Sequence, residues 1–457
     1  MFSTVLVANR GEIALRVVRT CRELGIGVAV AYSTVDRDSA AVRLADKTIC
    51  IGSAWARRSY LNIPAIIEAA RACGADAIHP GYGFLSENPD FAEVCADNGI
   101  TFIGASPEVM RNLGDKSATR AMMAVVGLPM LPGTVESVST ARAAHRLAVE
   151  IGYPLIIKAA AGGGGRGMRV VWNSAELDRD YQQTTATAKA VFGDGRVYLE
   201  RFLPAARHVE IQVLCDGHGG VVHLGERDCS VQRRYQKLIE ETPAPNLPAG
   251  LAEKLSASAV DGARAAGLVG AGTFEFLVDT AGRFYFIELN ARIQVEHPVT
   301  EAVTGMDLVC EQLKIAAGQR LGFGQEDVRP CGVAIECRVN LEDPARNFMP
   351  RPGRVEEFVP PGGPFVRVDT HGFAGYQVPP FYDSLLAKVI VWAPDRARAL
   401  DRMRRALGEF RIAGPGIATT IPFLHRVLEH PEFVLATHDT GLVDDVLRQD
   451  TKDVIQR

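Results

Sequence analysis

The stretch Tyr153-Pro-Leu-Ile-Ile-Lys158-Ala-Ala-Ala-Gly162-Gly163-Gly164-Gly165-Arg166-Gly167-Met168-Arg169-Val-Val171 decides how the chain folds. Its pattern predicts a strand ending near Lys158, a glycine loop, and a second strand starting near Met168, a hairpin flap. A run of four glycines costs considerable backbone entropy on ordering. It makes sense where the main chain must approach a ligand closely, because bare N–H groups can cradle phosphate oxygens. The strand–loop–helix order and the G-K-[ST] ending of a Walker loop are absent. A flexible linker hairpin is the alternative, but linkers rarely sit between a Lys-ended apolar strand and an Arg-Gly-Met strand.

Upstream, residues 1–110 alternate short apolar strands and amphipathic helices. Thr4–Ala8 reads as a strand, Asn9-Arg10-Gly11 as its turn, and Glu12–Leu24 as a helix with Ile13, Val17 and Cys21 on one face. Gly27–Tyr32, Ala77–His79 and Thr101–Ile103 read as further strands and Ile63–Cys73 as a helix. Strands separated by helices predict an α/β class with a parallel sheet. The first turn carries one Gly, so the dinucleotide fingerprint is missing. The loop His79-Pro-Gly-Tyr82-Gly83-Phe-Leu-Ser-Glu87-Asn88 follows a strand, where open α/β sheets bind ligands. Pro129–Gly133 reads as a connector, 150–203 as a β-rich piece around the glycine loop, and 205–320 as long strands plus helices. Pro350–Pro364 is a run of turns, and helices are expected at Arg396–Glu409, Ala418–Glu429 and Gly441–Arg448.

Downstream of the flap, Ala271-Gly-Thr273-Phe-Glu275-Phe-Leu277-Val-Asp279 and Arg283-Phe-Tyr-Phe-Ile-Glu288-Leu-Asn290 read as an antiparallel hairpin. If Asp279 pairs with Phe284, Glu275 lies opposite Glu288, while Glu288 and Asn290 share a face. Opposed like charges destabilise a sheet. A divalent cation removes that conflict, and two carboxylates plus an amide suit Mg²⁺ or Mn²⁺. The hairpin continues into Arg292-Ile-Gln294-Val295-Glu296-His297. Its Arg offers a bidentate fork to a small oxyanion, and its Glu can take a proton. The run Gln232-Arg233-Arg234-Tyr235-Gln-Lys237, followed by Glu240-Glu241, reads on its own as a solvated surface segment. On a strand, Glu336, Arg338 and Asn340 share one face while Val333, Ile335, Cys337 and Val339 fill a core. A lone strand Arg is more often a structural ion pair than a functional group.

The 457 residues predict two to four domains. Hydrophobic residues at 47% and charged residues at 23% exclude disorder and a disulfide-stapled miniprotein. Fifty Lys+Arg against 54 Asp+Glu is too balanced for a general nucleic-acid binder. Nine dispersed cysteines with no C-x-x-C read as reduced thiols in a reducing compartment. The N-terminus lacks a basic start followed by a long apolar core, so no signal peptide is expected. No apolar run reaches membrane-spanning length. A cytoplasmic location follows.

Together these motifs resemble the biotin carboxylases of the ATP-grasp superfamily. The resemblance rests on Val7-Ala-Asn-Arg-Gly-Glu-Ile-Ala14, Ala77–Asn88, Gly114-Asp-Lys116, the glycine flap, Glu226-Arg-Asp-Cys-Ser230, Arg292–Glu301, Glu336-Cys-Arg338 and Pro379-Pro-Phe-Tyr-Asp-Ser384. It covers roughly residues 1–450. The flap alone would indicate only ATP-grasp; the His-Pro-Gly-Tyr-Gly, Arg-Ile-Gln-Val-Glu-His and Glu-Cys-Arg stretches point to biotin carboxylase. The implied fold has an N-terminal Rossmann-like domain (1–115), an ATP-grasp domain (116–330, lid about 131–203) and a C-terminal α+β domain (331–457).

The implied activity is ATP-dependent carboxylation of biotin by bicarbonate through carboxyphosphate, the first half-reaction of an acetyl-CoA or acyl-CoA carboxylase. The alternatives are the same piece of a pyruvate or urea carboxylase, or another ATP-grasp ligase that activates a carboxylate. The resemblance implies that Lys116 and Lys158 bind ATP phosphates under the Gly162–Gly165 flap. Met168, Glu200-Arg201-Phe202-Leu203, His208, Gln232, Tyr235 and Leu277 would contact the nucleotide, with Glu275, Glu288 and Asn290 on the metal. Lys237, Arg292, Gln294 and Val295 would hold bicarbonate with Glu296 as base; Arg338 would stabilise the biotin enolate and Tyr82 lie near biotin. Tyr235 stands where some members have His, the flap opens Ala-Ala rather than Ser-Gly, and Pro364-Phe365 differs from a bacterial dimer-contact segment. No Ala-Met-Lys-Met biotinylation site occurs. Biotin is therefore expected to arrive on another protein, or the chain is one piece of a longer carboxylase; the resemblance implies a biotin carboxyl carrier protein, a carboxyltransferase subunit and a second copy of the chain as partners.

Overall fold

The computed structural model describes residues 1–134, 136–160 and 167–455. Thr4–Val7 (β1), Gly27–Ser33 (β2), Lys47–Gly52 (β3), Ala77–His79 (β4) and Thr101–Phe102 (β5) form a parallel five-stranded sheet in the order β3-β2-β1-β4-β5. Helices cover both faces, so β1 is an unbroken apolar run. Val5 and Val7 pack with Ile13 and Val17 of the helix Gly11–Glu23, while Leu6 packs with Ile66 and Ala70 of the helix Ile63–Cys73. The expected parallel sheet is present. The addition is β3, an edge strand whose Lys47 and Thr48 are exposed and which shows no continuous apolar signal.

Leu155–Ala159 (β6) pairs antiparallel with Met168–Val171 (β7), Lys158 opposite Met168, and with Val197–Arg201 (β8) on its other edge. The predicted hairpin strands are therefore present; Gly162, Gly163, Gly164 and Gly165 lie outside the described residues. The stretch 150–203 is less β-rich than its sequence suggests, because it contains the 16-residue helix Leu177–Phe192. With the helix Ala141–Ile151, it packs on this sheet through Leu177, Tyr181, Ala144 and Ala148. The buried stripe of Leu177–Phe192 is thin, and Thr184, Thr185 and Thr187 weaken its helical signal.

The largest sheet has eight strands. Phe284–Asn290 (β13), Gly270–Asp279 (β12), Ala206–Cys215 (β9), Val221–Arg233 (β10), Gln236–Thr242 (β11) and Val333–Asn340 (β14) are followed by Leu385–Ala393 and Val366–Thr370. It runs unbroken across residue 331, because β11 pairs with β14, Ile239 opposite Cys337. The helix Leu251–Ala265 covers one face through Leu255 and Ala259 against Val209, Ile211 and Phe274. The helices Arg396–Glu409 and Ile421–Glu429 cover the same layer over Ile335, Cys337 and Val389. Period-2 alternation then sends His208, Glu210, Glu275, Glu336 and Arg338 to the other face.

The run 233–241 is not a solvated segment. Only its tip is exposed, where Arg234 (φ 49) and Tyr235 (φ 65) form a two-residue turn between Arg233 and Gln236. Glu240 and Glu241 are buried in the sheet. All nine cysteines are free thiols. Among the described residues, no helix is long and apolar enough to cross a membrane.

Candidate active site

The β12–β13 hairpin sets the acidic centre. Val278, not Asp279, pairs with Phe284, and the Asp279 N–H donates to the Arg283 carbonyl at 2.9 Å. Gly282 (φ 76) takes the left-handed position this short loop requires. A bulge at the Glu275/Phe276 step then shifts the register by one, so Glu275 lies opposite Glu288 as expected. On its other side Glu275 faces Glu210 of β9. Three carboxylates thus form one row across β9, β12 and β13.

Cations hold this row together. The Lys237 ammonium lies 2.6 Å from Glu210, 3.1 Å from Glu275 and 2.5 Å from Glu296. His208 Nε2 is 2.9 Å from Glu275, and Lys116 is 3.7 Å from Glu288. Burial alone would raise the pKa of the Glu275 and Glu296 carboxyls; Lys237 leads the cations that hold both below the usual range, Glu296 far below. Burial would lower the Lys237 pKa, but Glu210, Glu275 and Glu296 push it well up. Burial opposes charge on His208 too, and Glu275 outweighs it to raise the imidazole. The Asn290 amide donates to Glu275 (2.9 Å) and Glu288 (3.3 Å), fixing all three side chains around one point. Their oxygens are hard donors, and Glu288 is partly open, with the Lys116 ammonium 3.7 Å away, so the set fits Mg²⁺ or Mn²⁺.

The loop after β13 folds back over this centre. Arg292 donates to Glu87 (3.0 Å), Gln294 Oε1 (2.9 Å) and Asn290 Oδ1 (3.2 Å), and Gln294 Nε2 donates to Glu275 (3.2 Å). Glu296 is fully buried, with one oxygen on Lys237 and the other 2.9 Å from Arg338. Arg338 Nε also donates to Glu240 at 2.6 Å. Arg338 is therefore an ion-paired strand residue that also reaches the site. Tyr82 donates its hydroxyl to Glu12.

On the lid side, Lys158 Nζ is 2.5 Å from Glu200, which Arg120 also contacts. Burial would raise the Glu200 pKa, and Lys158 with Arg120 brings it below normal. Phe202 N–H donates to the Pro154 carbonyl (3.0 Å), and its ring meets the Trp172 edge. Leu203 and Met168 are half-buried beside them, while Arg201 turns to the Ile151 carbonyl (3.4 Å). Gln232 approaches His208 Nδ1 (3.4 Å), and Leu277 pairs with His208 across the sheet. Tyr235, on its turn, is the outlier at 43% exposed.

Family models match the chain in three consecutive blocks: biotin carboxylase, N-terminal domain (1–110); carbamoyl-phosphate synthase L chain, ATP binding domain (115–323); and biotin carboxylase C-terminal domain (336–445). A biotin carboxylase of Nostoc sp. is 52% identical over 445 residues, covering 97% of this chain and 99% of that protein. The chain belongs to the biotin carboxylase family. Biotin carboxylases are ligases that carboxylate biotin in an ATP-dependent reaction, acting with a carrier protein and a carboxyltransferase. Among solved structures, a biotin carboxylase–β,γ-ATP complex from Campylobacter jejuni aligns with TM-score 0.95 at 48% identity, covering 97% of this chain and 99% of that one. The biotin carboxylase domain dimer of Hydrogenobacter thermophilus 2-oxoglutarate carboxylase, in complex with MgADP, ADP and bicarbonate, aligns at 0.94 and 45% identity, covering 98% and 99%.

Some residues of this biotin carboxylase centre receive no role from the motif reading, although two of them, Glu12 and Arg227, lie inside its motifs. Glu210 is one; the alternation His208-x-Glu210-x-Gln212 was its available signal. Arg227 is another, fully buried and 2.5 Å from Glu210. Glu12 and Lys388, paired at 3.1 Å, are two more.

Proposed function

We propose that the chain performs the biotin-carboxylation half-reaction with the following assignment of roles. Lys116, Lys158 and the Gly162–Gly165 loop hold the ATP phosphates. Met168, Glu200–Leu203, His208, Gln232, Tyr235 and Leu277 line the nucleotide's path. Glu275, Glu288 and Asn290 hold Mg²⁺ or Mn²⁺, which supplies charge neutralisation at the transferring phosphoryl group.

Bicarbonate lies against Arg292, Gln294 and the Val295 backbone, beside Lys237. Lys237 and Arg338, now turned to Glu296, are drawn toward the incoming anion. Glu296 then loses the cations that depress its proton affinity and becomes a base where and when bicarbonate is bound. The deprotonated oxygen attacks the γ-phosphorus, the bond to the β-phosphate bridging oxygen breaks, and ADP leaves. Carboxyphosphate splits its carbon–oxygen bond to CO₂ and phosphate. The phosphate takes the ureido N–H proton, and that nitrogen attacks CO₂. Arg338 stabilises the charge developing on the ureido oxygen, with Tyr82 beside the ring. Most of the catalysis is positioning and charge neutralisation.

The observation that carries this reading is the Lys237 ammonium within 3.1 Å of Glu210, Glu275 and Glu296, with Arg338 on the free oxygen of Glu296. We also assign the divisions 1–115, 116–330 (lid about 131–203) and 331–457, a homodimer, a cytoplasmic location, and biotin delivered on a carrier protein. The likeness to both a biotin carboxylase and the biotin carboxylase domain of a 2-oxoglutarate carboxylase supports assigning choice of the final acceptor to the carboxyltransferase partner. With free biotin, ATP cleavage should require bicarbonate and rise with biotin. Cleavage indifferent to bicarbonate would instead indicate a different carboxylate-activating ligase.

A further inference from the structure

The segment after β1, Asn9-Arg10 and the first helical residues Gly11-Glu12, has no role in the steps above, yet it grips the Tyr82 loop. Asn9, buried, donates its amide to the Pro80 carbonyl (2.6 Å) and the Tyr82 carbonyl (2.8 Å). Glu12, also buried, accepts the Tyr82 hydroxyl. The same Glu12 oxygen lies 3.1 Å from the ammonium of Lys388, which stands on the strand Leu385–Ala393 and has no exposed surface. Lys388 in turn donates to the Val295 carbonyl at 2.7 Å. That carbonyl belongs to the peptide joining Val295 to Glu296, the centre of the bicarbonate loop.

A buried ammonium is costly unless its partners compensate it. Burial would lower the Lys388 pKa, but Glu12, Glu336 and Asp369 raise it, so the charge persists. Lys388 also sits directly opposite Arg338 on β14, a like-charge neighbour it must tolerate. A fully buried apolar side chain could fill the space without either cost. A charged one earns its place by holding a carbonyl and a carboxylate on separate elements at a fixed distance.

We propose that Glu12 and Lys388 are positioning residues that tie Tyr82, on the biotin side, to Val295, on the bicarbonate side. The inference rests on the functional reading given above. CO₂ must pass from its site of release to the ureido nitrogen, so a small change in separation affects both substrates at once.

The test is steady-state kinetics of ATP cleavage and carboxybiotin formation for wild type, Glu12→Gln and Lys388→Met, with KM measured for bicarbonate, free biotin and ATP. Both variants should raise KM for bicarbonate and biotin together, by about tenfold, with KM for ATP within about twofold of wild type. An increase for only one of the two, an equal increase for all three, or no change overturns the inference. If Lys388→Met does not fold, the conservative Glu12→Gln decides alone. A wild-type enzyme without bicarbonate-dependent, biotin-stimulated ATP cleavage overturns the functional reading itself, and the inference with it.

Discussion

Lys237 is the cation that three carboxylates of the acidic centre share. Its ammonium is the shared partner of Glu210, Glu275 and Glu296, and its side chain is only 11% exposed. Lys237→Met would remove the cation these carboxylates share, leaving Glu210 with Arg227, Glu275 with His208 and Glu296 with Arg338. Breaking a buried ion pair from one side costs about 3–5 kcal/mol, and that loss is expected in denaturant unfolding at neutral pH. The sign of its pH dependence follows from the carboxylates. Glu275 and Glu296 are depressed in the folded state, so their stabilisation is present above the unfolded pKa and lost as pH falls. The difference between wild type and Lys237→Met should therefore shrink below about pH 4.5. A pH-independent difference would mean that Lys237 acts by packing alone.

At the scale of elements, the β12–β13 hairpin shows how a register can be half legible. The Glu275/Glu288 pairing follows from the strand sequences, but the loop closes one residue earlier and a bulge restores the alignment. Single sequences carry little information about bulges, because the extra residue is an ordinary apolar one. Glu288→Gln should sharply reduce ATP turnover at fixed Mg²⁺ with the fold intact; unchanged turnover across a Mg²⁺ titration would remove the residue from the metal site. The β10–β11 hairpin was harder to read. Its charges, Arg233, Arg234 and Lys237, look alike in sequence, and only the tight turn at 234–235 separates exposed tip from buried strand. Lys388 was legible in principle as a lone cation in the apolar run Leu385–Ala393, whereas Glu12 looks like an ordinary first-turn acid complementing the helix dipole.

Across the whole molecule, the α/β pattern of residues 1–110 and the flap strands were readable because apolar periodicity was strong. The eight-stranded sheet was not, since it joins strands remote in sequence, such as β11 and β14, where Thr242 pairs with Ala334. The loop after β4 reaches the segment after β13, where its Glu87 accepts from Arg292. At the end of β4, His79 is fully buried and its Nδ1 accepts the Gly81 N–H at 3.0 Å, which requires an unprotonated nitrogen. Burial pushes its pKa down to about 4. Because the unfolded imidazole binds its proton first, stability should be full above about pH 6.5 and fall by about 3 kcal/mol as pH drops toward 4. His79→Asn, which keeps an acceptor without the proton linkage, should flatten that limb of the stability curve. An unchanged acid limb would assign the loss to other groups.

The order of events at Glu296 and Arg338 is the centre of the account, and parallel measurement of phosphate release and carboxybiotin formation tests it most directly. Glu296→Gln should abolish both, since no bicarbonate is deprotonated. Arg338→Gln should lower carboxybiotin formation by about 10²–10³, while bicarbonate-dependent ATP cleavage falls much less. Equal loss of the two activities in Arg338→Gln would contradict the stepwise assignment and leave Arg338 as the structural partner of Glu240 and Glu296.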